Sequence, residues 1–194
     1  MTATLGTEGS APAPAGAGPR PRPLVIGLDL SLTSTGVAGV GWTDRIRTKL
    51  RGDARLAHVE AAVVSYIRHA DLVAMEGPSF GHGALPGHED LAGLRVLVRR
   101  YCYRHRIPYA VVPPSSLKLY VAGYGRATKG EIRSAVADRY GVRTEGAARY
   151  DEADAYGVLA AACDWLGHRL APVPETNARA LAGCQWPTAP EVPR

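Results

Sequence analysis

An aspartate stands inside an apolar run where packing gives it no reason to be. The run Pro23-Leu-Val-Ile-Gly-Leu-Asp-Leu30 has the length and hydrophobicity of a fully buried strand, and Asp29 lies within it. Aspartate is depleted in strands, so a carboxylate there calls for a chemical partner rather than a packing one. The run Asp71-Leu-Val-Ala-Met-Glu76 repeats the pattern, and Glu76 closes it just before a glycine-rich loop. Open α/β sheets place their sites at such strand ends. An alanine-rich helix opening at Asp151 carries Asp154 three residues later, so both acids share one face. A helix cap or a partner for the helix dipole is the plainer reading of Asp151 and Asp154 taken alone.

The intervening sequence reads as alternating strands and helices. Residues 24–30 form the first strand, and 37–42 and 45–50 form a hairpin that turns at Thr43-Asp44. A helix over 53–69 puts Leu56, Val59, Val63 and Ile67 on one face, and a strand follows at 71–76. After the loop comes a helix over 90–105, with Leu91, Leu94, Val98 and Cys102 inward, then a strand at 109–112. A short helix spans 115–121. Thr128 and Glu131 form a capping box that starts a helix ending near Gly141. This pattern predicts an α/β fold whose mixed five-stranded sheet is flanked by helices on both faces. With 194 residues there is room for one such domain, placed at 23–171. Residues 1–22, rich in Pro, Ala and Gly, read as a disordered tail. The Pro-rich stretch 172–194 reads as a second tail trailing over the surface, with Trp186 able to dock locally.

Several classes are set aside by composition. No apolar stretch suits a membrane span, and the N-terminus lacks the apolar core of a secretory signal. Cys102, Cys163 and Cys184 are odd in number and show no paired spacing, which fits a reduced, cytoplasmic protein with cysteines packed as small hydrophobes. The net charge is +5, and between Arg95 and Arg133 nine basic residues face only Glu131. Tyr101, Tyr103, Tyr120 and Tyr124 lie in the same third, a mixture that suits a polyanion such as nucleic acid. A solvated helix face with scattered loop charges would look the same.

If Asp29, Glu76, Asp151 and Asp154 converge, their repulsion is severe. Two unit charges 4 Å apart cost about 4 kcal/mol at an effective dielectric near 20, against a total stability of about 5–15 kcal/mol. Such a cluster persists only if it is partly protonated or holds metal. Oxygen ligands alone favour Mg²⁺ or Mn²⁺, and no His/Cys spacing suggests zinc. Two such ions suit phosphodiester hydrolysis.

Three stretches carry a family resemblance. Gly27-Leu-Asp-Leu-Ser-Leu-Thr-Ser-Thr-Gly36, Ala74-Met-Glu76 and Tyr150-Asp-Glu-Ala-Asp-Ala155 resemble, in order, the acidic blocks of RuvC-type Holliday junction resolvases. Between the last two, Ser116 to Glu131 is similar to the family's lysine-bearing stretch, down to the spacing of Lys118 and Lys129. The resemblance covers about 24–168 and implies a ribonuclease H-like fold. It implies two Mg²⁺ ions per site, replaceable by Mn²⁺, held by Asp29, Glu76, Asp151 and Asp154, and no organic cofactor. Lys129 would act at the scissile phosphate, Lys118 and Arg126 would bind DNA, and Phe80 would stack on an unpaired base. A homodimer acting on four-way junctions in recombination and repair is the implied assembly. Phe80 stands one residue farther from Glu76 than the family's aromatic, the stretch between Asp29 and Glu76 is shortened, and both tails are extra. The loops after Asp29 and Glu76 look more like divergent, phage-type members.

Other functions remain open at this point. A ribonuclease H-like nuclease on RNA–DNA hybrids would need the same acids, and a non-catalytic nucleic-acid-binding module could keep the fold. Gly27-x-Asp-x-Ser-x-Thr-x-x-Gly36 also resembles the first phosphate loop of actin-like ATPases and sugar kinases, but these need a second domain that 194 residues cannot supply. Phe80 is alternatively a core anchor, and His82 and His88 are ordinary loop histidines without a third ligand.

Overall fold

In the computed structural model, residues 22–78 and 87–188 are described. Phe80, His82 and the N-terminal tail before Arg22 fall outside them. The sheet comprises β1 (Val25–Asp29), β2 (Ser34–Gly39), β3 (Trp42–Arg47), β4 (Leu72–Glu76) and β5 (Tyr109–Val112). The strand order is β3-β2-β1-β4-β5, with β1, β4 and β5 parallel and β2 antiparallel to both neighbours. The helices are α1 (Gly52–Ile67), α2 (His88–Arg104), α3 (Pro114–Ala122), α4 (Lys129–Tyr140), α5 (Arg149–Trp165) and the short α6 (Glu175–Ala178). Among the described residues no helix is long and apolar enough to cross a membrane.

Strand alternation divides the core in two. Ile26, Leu28, Val37, Ile46, Val73 and Met75 pack beneath α1 and α2. Val25, Ala38, Leu72, Ala74, Ala110 and Val112 pack beneath α3, α4 and α5. A mixed sheet covered on both faces is what the apolar runs predict, because a strand buried on both sides needs no polar alternation.

The packing of α5 is unusually close. A Cβ at Gly27 would lie 2.3 Å from the Ala155 carbonyl oxygen, and one at Gly36 would lie 2.1 Å from that of Asp151. Only glycine lets the helix backbone rest directly on β1 and β2, and the helix's own alanines serve the same end. From Ala153 to Cys163 every residue of α5 is buried.

Two sequence expectations need correction. The hairpin turns at Val40-Gly41 rather than Thr43-Asp44, shifting both strands towards the N-terminus. Gly41 takes φ +82°, which favours glycine, whereas Asp44 accepts hydrogen bonds from the Tyr66 hydroxyl and the Arg45 amide. Trp42 closes the turn by packing over Gly39 and stacking on Tyr66. The second correction concerns the expected surface tail. Gln185 and Val111 exchange backbone hydrogen bonds across the β5 edge, and Trp186 stacks on Trp165 with centroids 5.0 Å apart. Asn177 is buried and donates to the Tyr120 carbonyl. Over residues 172–188 these contacts hold the chain against the domain.

Gly36→Ala is expected to destabilise the protein by about 1–3 kcal/mol, read from urea unfolding, because the added methyl meets helix backbone rather than a side chain that can turn away. An unchanged midpoint would show that α5 does not rest on β2 this closely.

Candidate metal centre

β1 and β4 lie side by side and parallel, so Asp29 and Glu76 emerge together at their C-terminal ends. Both occupy the alternation phase that faces α5. The first turns of α5 bring Asp154 over the same spot. One carboxylate oxygen from each of Asp29, Glu76 and Asp154 lies within 4.8 Å of the others. Asp154 is nearly buried at 7% exposure and Asp29 at 9%. These three sit in a pocket of about 210 Å³, lined also by Pro114, Leu117, Lys118, Lys129 and Ile132.

Asp151 stands just outside the triad. It caps nothing: the N-cap of α5 is Ala148, and no side chain bonds to the first amides. Instead Asp151 shares Lys129 with Asp154, its Oδ1 3.7 Å from the ammonium against 3.9 Å for Asp154 Oδ2. The Thr128–Glu131 capping box fixes the start of α4 and so aims Lys129 at these acids, with Glu131 accepting from the Thr128 amide at 2.8 Å. Lys118 lines the pocket, while Arg126 is exposed in the connection between α3 and α4. His88 is the exposed first residue of α2 and takes no part.

The electrostatics follow from burial. Burial first, then the charge of Asp29, pushes the Glu76 carboxyl up to about 9. Burial and the charge of Asp29 push Asp154 up to about 7, against the pull of Lys129. Burial also raises Asp29, although a hydrogen bond with Glu76 works the other way. Two ionised carboxylates cannot donate to each other, so without metal the Asp29–Glu76 pair holds a shared proton. Burial works against the Lys129 charge, but Asp154, Asp29, Asp151 and Glu76 together hold its ammonium above the ordinary value.

Sequence reading missed Arg95, which it placed within a basic surface. Its guanidinium feels the charges of Glu76 and Asp29, and burial lowers its pKa. Its Nε is buried without a hydrogen-bond partner among the described residues. The signal was present: Arg95 lies four residues after Leu91 and three before Val98, on the helix stripe that faces the core.

The donor set fits a hard divalent cation. Three carboxylates converge with no sulfur or imidazole among the described lining residues, and oxygen-only sites favour Mg²⁺ or Mn²⁺.

No protein-family model matches the sequence, and no curated protein matches it. Solved structures do. Thermus thermophilus RuvC superposes with a TM-score of 0.60 at 19% identity, covering 77% of this chain and 99% of that one. T. thermophilus RuvC in complex with Holliday junction substrate gives 0.61 at 20% identity, with the same coverage. The fold is that of RuvC. The relationship is distant, and the likeness covers about three quarters of this chain.

The raised carboxyls set a pH dependence. Glu76 and Asp154 rise from ordinary values of 4.5 and 3.8 to about 9 and about 7. Across that window the folded chain holds protons that the unfolded chain has lost, so metal-free stability falls as pH rises. Melting temperature in chelator is expected to drop between about pH 5 and 9, and the gain on adding Mg²⁺ to widen, since binding needs the ionised carboxylates. Asp29→Asn should raise the melting temperature in chelator at high pH. A flat profile with no response to Mg²⁺ would contradict this electrostatic account.

Proposed function

We propose that the chain is a divalent-metal-dependent endodeoxyribonuclease that hydrolyses phosphodiesters in branched DNA, with the four-way junction as its substrate. One observation carries this reading: Asp29, Glu76 and Asp154 arrive from three separate elements and meet in one pocket with Lys118 and Lys129, on a RuvC-like fold. Asp29, Glu76, Asp151 and Asp154 would hold two Mg²⁺ ions, or Mn²⁺ in their place. Such ions supply an activated water and neutralise charge on the phosphodiester.

The chain's own groups supply position and field. Lys129, anchored by Asp151 and Asp154 yet with 60% of its side chain exposed, can face a phosphate oxygen where negative charge builds in the transition state. Pro114, Leu117 and Ile132 form an apolar wall that thins the water around these charges and so strengthens their interaction. Lys118 and Arg126 bind flanking phosphates, and Phe80 stacks on a base at the opened centre of the junction. Two copies related by a two-fold axis would present two centres to symmetric strands. That a T. thermophilus RuvC structure holds a Holliday junction substrate supports the choice of DNA arm.

Asp154→Asn is expected to lower Mg²⁺-dependent cleavage of a four-way junction by at least about 10³-fold, the scale of losing a charge-stabilising group, while junction binding in a gel-shift assay stays within a few-fold. Lys129→Ala should slow the cut more than it weakens binding. Parallel assays on linear duplex and RNA–DNA hybrid discriminate the rival: faster cleavage of the hybrid would make the chain a ribonuclease H-like enzyme instead.

A further inference from the structure

The sheet carries a second charged feature at the same end as the acidic pocket. Among the described residues β3 is a free edge, paired only with β2. Arg45 and Arg47 in this strand, and Lys49 and Arg51 in the residues leading to α1, are all exposed. They alternate along the chain, and Ile46 between the first two is buried beneath α1 and α2. Arg45 and Arg47 therefore share the opposite face with Thr43, whose hydroxyl donates to Glu152 of α5 at 2.9 Å.

Register fixes where the stripe lies. Asp29 pairs with Gly36, and Gly36 pairs with Arg45, so one row crosses the sheet from the pocket to the edge. Two strand spacings separate Arg45 from Asp29, about 10 Å. β3 runs in the same direction as β1, since both are antiparallel to β2. The chain from Arg47 to Arg51 accordingly leaves the sheet at the rim where Asp29 and Glu76 emerge. Lys118 approaches that rim from the other flank, because α3 follows directly from β5 at the far edge.

Among the described residues, no acid pairs with these cations. Asp44 is engaged by Tyr66 and by the Arg45 amide, and Glu152 accepts from Thr43. Asp53 lies in the first turn of α1. Among the described residues the ion pairs involve only Lys129 and Arg169 as cations. Four unpaired cations spaced two residues apart match a ligand with regularly spaced negative charge, as a nucleic-acid backbone has.

We propose that Arg45, Arg47, Lys49 and Arg51 form a second phosphate-binding track, which grips a DNA arm on the side of the metal centre away from Lys118. The inference rests on the nuclease reading, since that reading supplies DNA as the polyanion. It gives the abbreviated β3 region a role in positioning substrate. The competing account is that these charges guard a free sheet edge against pairing with another strand.

The test is the R45Q/R47Q/K49Q/R51Q variant, compared with the unaltered edge in an Asp154→Asn background that binds without cutting. Affinity for a four-way junction and for linear duplex is measured from 50 to 200 mM salt. Each lost phosphate contact should reduce the slope of log K against log salt by about 0.9, so the four changes should flatten it by about 2–4 and weaken binding by about tenfold or more. R45K/R47K should retain the original slope, because charge rather than shape is at stake. The half-variants R45Q/R47Q and K49Q/R51Q keep the test open if the full variant fails to fold. An unchanged slope and affinity, whether or not aggregates appear, would overturn the track and leave the edge-guard account. If the unaltered edge also bound no DNA, the nuclease reading itself would fall with it.

Discussion

The close contact of α5 with β1 and β2 is what brings the acids of the helix to those at the strand ends. Gly27 and Gly36 remove the side chains that would hold the helix off, and backbone meets backbone at Ala155 and Asp151. At that distance a carboxylate in the first turns of the helix reaches one at the end of the strand. A helix riding higher on larger side chains would leave Asp154 out of reach of Asp29 and Glu76. The alanines of α5 and the glycines of the strands are thus part of the same device as the acids.

The device works against the stability of the molecule. Three carboxyls in a pocket of about 210 Å³ repel one another and lose hydration, and the metal-free protein answers by keeping protons and drawing Lys129 inward. Arg95, entering from the opposite face of the sheet on α2, adds positive charge without a direct ion pair among the described residues. Where a sequence gives up stability locally in this way, a functional constraint is the economical explanation. A divalent cation held there would relieve the repulsion and use the same geometry.

Much of this is legible in the sequence. Asp29 and Glu76 betray themselves because a carboxylate in a buried strand contradicts its surroundings, and the contradiction is local. Asp151 and Asp154 are weaker signals, since acids belong at helix starts, and only the meeting of Asp154 with Asp29 and Glu76 separates it from a cap. The Thr128–Glu131 box is read correctly because both halves of its hydrogen bonding lie within one turn. The hairpin turn was misplaced because Thr43-Asp44 looks like a turn, whereas the decisive property is the positive φ at Gly41 together with the packing of Trp42 on Gly39 and Tyr66. The segment after Pro172 looked like a tail because its contacts, Gln185 with Val111 and Trp186 with Trp165, are tertiary and leave no periodicity. Arg95 was hidden among other arginines of α2, although its place on the apolar stripe sets it apart.

The most direct test of the account is the crystal structure of the protein grown with Mn²⁺, with the metal located by its anomalous scattering. The account predicts manganese between Asp29, Glu76 and Asp154, at oxygen distances of about 2 Å. A structure with these carboxylates turned away from one another, or with manganese bound elsewhere and none among them, would contradict it.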